Sequence, residues 1–409
     1  MVSDSKLELP LPVNQQKPRR RRILKVHLLI AALILSAVGY LGKGKWIWTP
    51  ERKAHFVLTH FPLIDGHNDL PIYLRENYDN RLLNISLEHL PGQTDIFRLR
   101  QGHVGGQFWS VFVECPSLDS NSSLSWNRTG EYEAVTQTLQ QIDVVKRMAL
   151  YYPKTFSLTD HSGKVKFDFL RNHISSMMGI EGLHQIAGSP SILRQFYDLG
   201  VRYATLAHNC DNVFADAAVD GKRTNKGLSP AGRDIVREMN RLGMIVDLSH
   251  TTPETMHQAL DVSVAPAFFS HSSAKGVYDH PRNVPDDVLI RVKETDGVVM
   301  VNFYPAFISP HPENATIDTV VEHIMHIANV TGSYRHIGLG GDFDGIDMVP
   351  KGLEDVSKYP DLFVKLAERG LSITELADIA GRNVLRVWKT TEDLGHSIHE
   401  PPLEWEDDF

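Results

Sequence analysis

His67 and Asp69 stand two residues apart in Leu63-Ile64-Asp65-Gly66-His67-Asn68-Asp69-Leu70-Pro71, just after an apolar approach. In an extended backbone that spacing aims both side chains the same way. An imidazole and a carboxylate converging at the mouth of a buried strand are two ligands of a divalent metal such as zinc. Read alone, the same letters also describe an Asx-rich turn closing a strand. Further donors recur in like surroundings: Glu181 in Gly179-Ile180-Glu181-Gly182, His208 in Leu206-Ala207-His208-Asn209, His250 in Asp247-Leu248-Ser249-His250, His271 in Phe269-Ser270-His271-Ser272, and Asp342 in Gly340-Gly341-Asp342-Phe343-Asp344-Gly345. With 20 histidines in the chain, no single one is decisive. Their joint placement behind apolar runs suggests two metals sharing a carboxylate, with His67 and Asp69 on one, His250 and His271 on the other, and Glu181 between them. Such a set leaves positions open for water, as a catalytic site requires, and makes a hydroxide held between the ions the expected nucleophile.

What must position these donors is a repeating frame. Short apolar runs occur at Pro62–Asp65, Gln107–Val113, Ser175–Ile180, Tyr203–Ala207, Met244–Leu248, Ala267–Ser270, Gly297–Asn302 and His336–Leu339. Between them lie stretches of helical periodicity such as Glu131–Ala149, Ser191–Leu199, Pro230–Leu242, Thr252–Leu260, Pro285–Glu294 and Thr316–Asn329. Eight runs rich in Val, Ile and Leu, each followed by a polar residue and a crossover, predict an α/β fold, a (βα)8 TIM-type barrel whose carboxyl-terminal strand ends carry the chemistry. No comparable break in composition follows residue 61, so residues 61–390 are expected to form one domain. A linker at 43–60 precedes it, and an acidic tail at 391–409 follows, extended over the surface or loose.

At 409 residues, 42% hydrophobic and 22% charged, the chain can bury a large core, and a formal net charge of -8 argues against nucleic acid as a partner. The N-terminus is the exception. Lys17 and Arg19 to Arg22 form a basic block before an apolar run from Ile23 to Leu41, interrupted only by Lys25 and His27. That run matches a bilayer core of roughly 30 Å. With the basic side held in the cytoplasm, the expected plan is a single-pass type II membrane protein. Residues 1–22 are then a cytoplasmic tail, 23–42 a transmembrane signal anchor, and the catalytic domain lumenal or extracellular. Secretion after signal cleavage is the competing plan, since small residues such as Ala37 and Gly39 follow the apolar centre. Five Asn-x-Ser/Thr sequons, at Asn84, Asn121, Asn127, Asn314 and Asn329, all follow the span and are expected glycosylation sites. The two cysteines, Cys115 and Cys210, suit one disulfide in an oxidising compartment, or two buried thiols in a reducing one. No hydrophobic tail follows Glu400, so a lipid anchor at that end is not expected.

The strings from Asp65 to Pro71, Gly179 to Gly182, Leu206 to Asn209, Asp247 to His250, Phe269 to Ser272, His280-Pro281-Arg282-Asn283-Val284-Pro285 and Gly340 to Gly345 occur in that order, followed by Gly352 to Asp361. Together they resemble the membrane (renal) dipeptidase family, peptidase family M19, over about Leu63 to Trp388. The resemblance implies a dizinc, amidohydrolase-like barrel that cleaves dipeptides with relaxed side-chain preference. It places His67, Asp69, Glu181, His250 and His271 on the zinc ligands, with Glu181 and a hydroxide bridging two Zn2+ per chain. It places His208, Arg282 and Asp342 on residues that handle substrate, and it matches Cys115 and Cys210 to one family disulfide.

Each substrate role also makes physical sense. Arg282 can clamp a dipeptide's carboxylate through a bidentate pair. His208 can donate to the oxyanion of a tetrahedral intermediate. Asp342 can take a proton from the attacking water and return it to the leaving amine; in related barrels the last-strand aspartate can also touch a metal. The chain departs from the family in one respect: animal members commonly carry a C-terminal lipid and more cysteines, so a homodimer here would not be linked through a cysteine other than Cys115 or Cys210. Two other functions stay open at this point: an amidohydrolase acting on lactams or cyclic amides, and a catalytically silent barrel used as a surface receptor. A calcium loop from Asp342 is set aside, because its twelfth position is Leu353, which has no carboxylate.

Overall fold

The computed structural model describes residues 48–116, 128–219, 221–222 and 225–405, with 128 and 129 as backbone only. The expected span at 23–42 and the sequons at Asn121 and Asn127 lie outside these residues. Among the described residues no helix is long and apolar enough to cross a membrane. The chain divides before Pro50, into Met1–Thr49 and Pro50–Phe409, and the second unit carries the fold.

Among the described residues nine strands follow in chain order: β1 (Leu63–Asn68), β2 (Val104–Ser110), β3 (Phe156–Leu158), β4 (Ile174–Glu181), β5 (Val201–Thr205), β6 (Ile245–Asp247), β7 (Phe268–Phe269), β8 (Val298–Val301) and β9 (Ile337–Leu339). All pair in parallel in the order β2-β1-β9-β8-β7-β6-β5-β4-β3, and β2 also pairs with β4, which closes the sheet into an eight-stranded barrel. Every residue of the eight barrel strands is buried. That is why they read in the sequence as continuous apolar runs rather than alternating ones. The ninth strand, β3, was not foreseen. It has three residues of mixed burial and pairs only with the start of β4, Ile174 to Ser176.

The crossovers begin where the letters say they should. Ser189, Ser229 and Thr252 each precede a proline and accept from a backbone N–H three residues on, so the helices Pro190–Asp198, Pro230–Leu242 and Pro253–Val262 start capped. Helices and sheet enclose one large apolar layer. A smaller cluster, with Ile64, Phe108, Met177, Tyr203, Phe268 and Met300, fills the barrel and is plugged by Val384, Val387 and Trp388 of the helix Asn383–Ser397.

Two expected boundaries shift. The linker at 43–60 turns helical at Pro50: Ala54, Val57 and Leu58 of the helix Pro50–His60 are buried, and the helix packs on Tyr359–Glu368 and Ile373–Ala377. Three apolar positions spaced three and four apart among polar letters were enough to make a stripe, but too few to read as one. The tail at 391–409 likewise begins inside a helix. Thr391 is buried in Asn383–Ser397, one turn beyond Val387. Leu403 then pairs its N–H with Glu238 and its carbonyl with Arg194, which docks the chain at that position.

Candidate metal centre

The donors all arrive at the carboxyl end of the barrel. His67 lies in β1 and Asp69 just beyond it, Glu181 ends β4, His208 is three residues past β5, His250 three past β6, His271 two past β7 and Asp342 three past β9. Two buried aspartates set the turns. Asp65 accepts the N–H groups of His67 and Gly341 through Oδ1 (3.2 and 3.0 Å) and the Tyr359 hydroxyl through Oδ2 (2.7 Å). It therefore ties β1 to the turn after β9. Asp247 accepts the N–H groups of Ser249 and Ser270 through Oδ1 (3.1 and 2.8 Å), and the hydroxyls of Thr205 and Ser270 through Oδ2 (both 2.6 Å). That one carboxylate joins β5, β6 and β7. His250 and Asp342 both adopt left-handed backbone, φ 66° and 63°, a conformation that costs energy away from glycine and tends to collect at functional sites.

Glu181 stands between the imidazoles. Its Oε1 is 2.9 Å from His250 Nε2 and 3.3 Å from His271 Nε2, while its Oε2 is 3.5 Å from His67 Nε2 and accepts the Ser110 hydroxyl at 3.2 Å. His67 Nε2 is in turn 3.1 Å from Asp69 Oδ2 and 3.9 Å from Asp342 Oδ1. Each ring is held from behind by its other nitrogen: His67 Nδ1 is 2.9 Å from the Tyr203 hydroxyl, His250 Nδ1 3.1 Å from Asn209 Oδ1, and His271 Nδ1 2.8 Å from Ser270 Oγ. Asn209 Oδ1 can only accept, and Ser270 gives its proton to Asp247, so His250 and His271 are protonated at Nδ1 and aim Nε2 lone pairs at Glu181. This is how metal-ligating histidines are oriented by their outer partners.

The donors fit a cation on two independent grounds. His250 Nε2 and His271 Nε2 are 2.9 Å apart, and two lone pairs that close repel unless a positive charge lies among them. Ligand atoms about 2.1 Å from a zinc-like ion are spaced by about 3.0–3.4 Å, and the triangle of His250, His271 and Glu181 Oε1 has edges of 2.9, 2.9 and 3.3 Å. On the other side of Glu181, His67 Nε2 and Asp69 Oδ1 are buried without a hydrogen-bond partner. His67 Nε2 lies 3.1 Å from Asp69 Oδ2, an imidazole and a carboxylate placed so that both could ligate one cation. Asp342 also comes within reach, since His67, His271 and Asp342 offer donor atoms within 4.8 Å of one another.

The local charges agree. Burial would raise Glu181, yet the charges of His67 and His208 and the close approach of His250 and His271 hold it well below the usual carboxylate range. Burial drives His250 and His271 well below an ordinary imidazole, with Arg282 adding to both, so their lone pairs are free. His67 goes the other way. Burial pulls it down, but Tyr203, Glu181 and Asp69 hold it well above its ordinary value. Burial lifts the Asp342 carboxyl to about 8, Asp69 and Glu181 pushing with it against His67 and Arg282. Burial also lowers His208 to about 4 and Arg282 to about 10, leaving a neutral imidazole and a cation at neutral pH.

A cleft of about 350 Å³ opens over these groups; Asp69, Glu181, His208, His250 and Asp342 share its lining with Phe112, Tyr304 and Phe307. A larger, more open hollow of about 530 Å³ adjoins it at Ile72, Glu76 and Glu114 but contains none of the donors. Arg282 is 2% exposed and sits behind the cleft wall, its guanidinium 5.2 Å from the centre of the Phe307 ring. It donates to the His271 carbonyl at 3.3 Å, and its Nε has no partner. Sequence reasoning did not foresee that depth. Cys115 and Cys210 are joined in a disulfide, and Cys115 Sγ lies 3.8 Å from His208 Nδ1. Asn84, Asn314 and Asn329 are exposed.

Tyr203, Asn209, Ser270, Asp65 and Asp247 were missed as site residues. Asp65 and Asp247 had a signal available, since each opens one of the strings that also contains a donor.

The membrane dipeptidase family, peptidase family M19, matches residues 51–402. The chain is 46% identical to dipeptidase aclJ of Aspergillus oryzae over 409 residues, 97% of this chain and 94% of that one. It is 44% identical to dipeptidase tcpJ of Claviceps purpurea over 335 residues, 81% and 78% of the two chains. Among solved structures, a metallo peptidase of Rhodobacter sphaeroides, liganded with a phosphinate mimic of the dipeptide L-Ala-D-Ala, superposes with a TM-score of 0.73 at 25% identity, covering 81% of this chain and 99% of that one. The probable dipeptidase PvdM of Pseudomonas aeruginosa, at TM-score 0.74 and 19% identity over 84% and 99% of the chains, shares the fold. With barrel, donor geometry and sequence in agreement, the chain belongs to the membrane dipeptidase family, peptidase family M19.

Proposed function

We propose that this chain hydrolyses dipeptides with two zinc ions, one held by His67 and Asp69, one by His250 and His271, and both by Glu181. The observation that carries the reading is that Glu181 divides its two oxygens between His67 and the His250–His271 pair. When bound, such ions polarise a carbonyl and make water nucleophilic near neutral pH. The chain's own residues supply the rest. Asn302 holds Asp342 Oδ2 at 2.8 Å, which leaves Oδ1 to accept a proton from water and return it to the leaving amine. Neutral His208, lining the cleft, donates to the developing oxyanion. Arg282, cationic behind Phe307, supplies the charge that attracts the substrate's free carboxylate. The phosphinate dipeptide mimic bound by the Rhodobacter sphaeroides relative supports this substrate class.

We further propose that residues 23–42 anchor the protein and that the barrel lies on the lumenal or extracellular side, a reading supported by the Cys115–Cys210 bridge and by the exposure of Asn84, Asn314 and Asn329. Glycosidase treatment of membrane fractions, with protease protection of the barrel, tests that placement. The activity is tested on the full-length purified chain with a panel of dipeptides, carboxyl-amidated dipeptides and β-lactams. Dipeptides should be turned over, amidation should cost most of the rate, and chelation should abolish activity that zinc restores. Turnover indifferent to chelator, or none with two ions bound, would overturn the reading.

A further inference from the structure

We infer that Tyr203 is a positioning residue of this centre, its hydroxyl fixing the His67 ring and thereby the affinity of the cation that His67 and Asp69 share. The inference rests on the two-ion reading above. Tyr203 is fully buried in β5, its ring 5.4 Å from that of Phe108 and 5.9 Å from that of Phe268. It belongs to the apolar cluster of the barrel interior, with Ile64, Met177 and Met300 among its members. A hydroxyl in such surroundings is costly unless it is hydrogen-bonded, and the partner it has is His67 Nδ1, 2.9 Å away. In the tautomer that donates Nδ1–H to the Tyr203 oxygen, Nε2 is the ring atom with a lone pair left to face Glu181 and Asp69.

A second position makes the same point. Gly179 pairs with Tyr203 across β4 and β5, and lies two residues before Glu181 on the same face of the strand. A Cβ built on Gly179 would clash with the Tyr203 ring at Cδ2, Cε2 and Cζ. β4 thus omits a side chain directly below its bridging carboxylate, and the tyrosine occupies that space. The other two imidazoles differ. His250 and His271 take their outer partners from the ends of β5 and β7, Asn209 and the adjacent Ser270, whereas His67 takes its partner from within the packed barrel, 136 residues away in sequence. Only the His67 side of the centre should therefore respond to how the interior packs around Tyr203.

Tyr203→Phe keeps the ring and removes the acceptor; Gly179→Ala keeps the hydroxyl and displaces the ring. Each should weaken one of two zinc ions by about 10–100-fold, with the other ion unchanged. The holoprotein is stripped by chelation, refilled by titration with zinc, and read by elemental analysis and competition with a chromophoric chelator; circular dichroism and the melting temperature of the metal-free form report the fold. Two tight ions in the wild type, against one tight and one weak in either folded variant, upholds the inference. Two ions of unchanged affinity in both variants overturns it while leaving the two-ion reading intact. Fewer than two ions in the wild type overturns both. Because Gly179→Ala leaves the hydroxyl in the chain, a folding failure of one variant still leaves the other to decide.

Discussion

The two halves of the centre share Glu181 but are built differently. On the His250–His271 side, two neutral rings from two strands close to 2.9 Å, each oriented by a short polar group at a strand end. On the His67 side, a single ring meets Asp69 at 3.1 Å and Asp342 at 3.9 Å, and is held through the barrel interior. One half is compact and uncharged; the other is wider and anion-rich. The contrast teaches that one carboxylate faces two unlike pockets, so their donors should be separable by substitution while Glu181 is not.

The harshest test of that contrast is therefore Glu181→Gln, which takes the shared charge from both halves. We expect kcat/KM to fall by about 10²–10³-fold, the loss seen when one strong stabilising group is removed from a preorganised site, and elemental analysis to find fewer than two ions. Two tight ions and full turnover would show that the halves do not depend on their bridge.

Next in size is the seam between the halves. The carbonyl oxygen of Ser270, next to His271, is approached by Gly66, next to His67, and by Gly340 in the turn that carries Asp342. A Cβ on Gly66 would meet that oxygen at 2.5 Å, and one on Gly340 would lie against the same atom. The Cβ on Gly66 would also press on the flexible Met300 thioether, but the Ser270 carbonyl that both would meet is backbone and cannot swing away. Gly66→Ala and Gly340→Ala should each cost about 1–3 kcal/mol in chemical denaturation of the metal-free chain. Gly163→Ala, whose Cβ would meet nothing nearer than 3.4 Å, should cost almost nothing.

A finer test isolates the compact half. Ser270→Ala removes the acceptor behind His271 but leaves Thr205 on Asp247. It should weaken the ion on the His250–His271 side by about 10–100-fold and spare the one that depends on Tyr203. If Ser270→Ala and Tyr203→Phe weaken the same ion in a zinc titration, the halves are not distinct.

How much of this was legible beforehand follows from the range of the interactions. The eight barrel strands and the donors behind them could be read because a strand buried on both faces leaves a local apolar run, and because each donor sits within a few letters of its run. β3 could not, since three residues of mixed burial leave no pattern. The helix Pro50–His60 hid behind a stripe of three apolar residues. Tyr203 was out of reach for a different reason: it bonds His67 across 136 positions, and nothing local distinguishes it from any other strand residue, whereas Asp65 and Asp247 each open a string that also contains a donor. The depth of Arg282 is likewise set by the ring of Phe307, which its own Pro-flanked string does not mention.

The smallest effect should come from a residue that braces the compact half without touching it. His323, buried in the helix Ile317–Thr331, accepts the Ala274 N–H through Nδ1 at 3.0 Å and places Nε2 3.0 Å from the Ile308 carbonyl. It thereby fastens the loop that runs on from His271 to the wall carrying Phe307. Burial lowers it from 6.5 to about 4, and His326 adds to this against its two backbone bonds. A histidine lowered on folding is neutral in the folded chain, while the unfolded chain begins to take a proton as pH drops below 6.5. Its stabilisation is complete above that value, is lost as pH falls from 6.5 toward about 4, and does not change further below. Between pH 7 and pH 5 that amounts to at most about 2 kcal/mol by linkage. His323→Gln can keep both hydrogen bonds but cannot titrate, so its urea stability should fall less steeply than the wild type's across that interval, the gap opening only below pH 6.5. His184, also buried and lowered to about 4, titrates alike in both chains and cancels. Parallel slopes would mean that His323 is not what ties the His271 side of the centre to the pH of its surroundings.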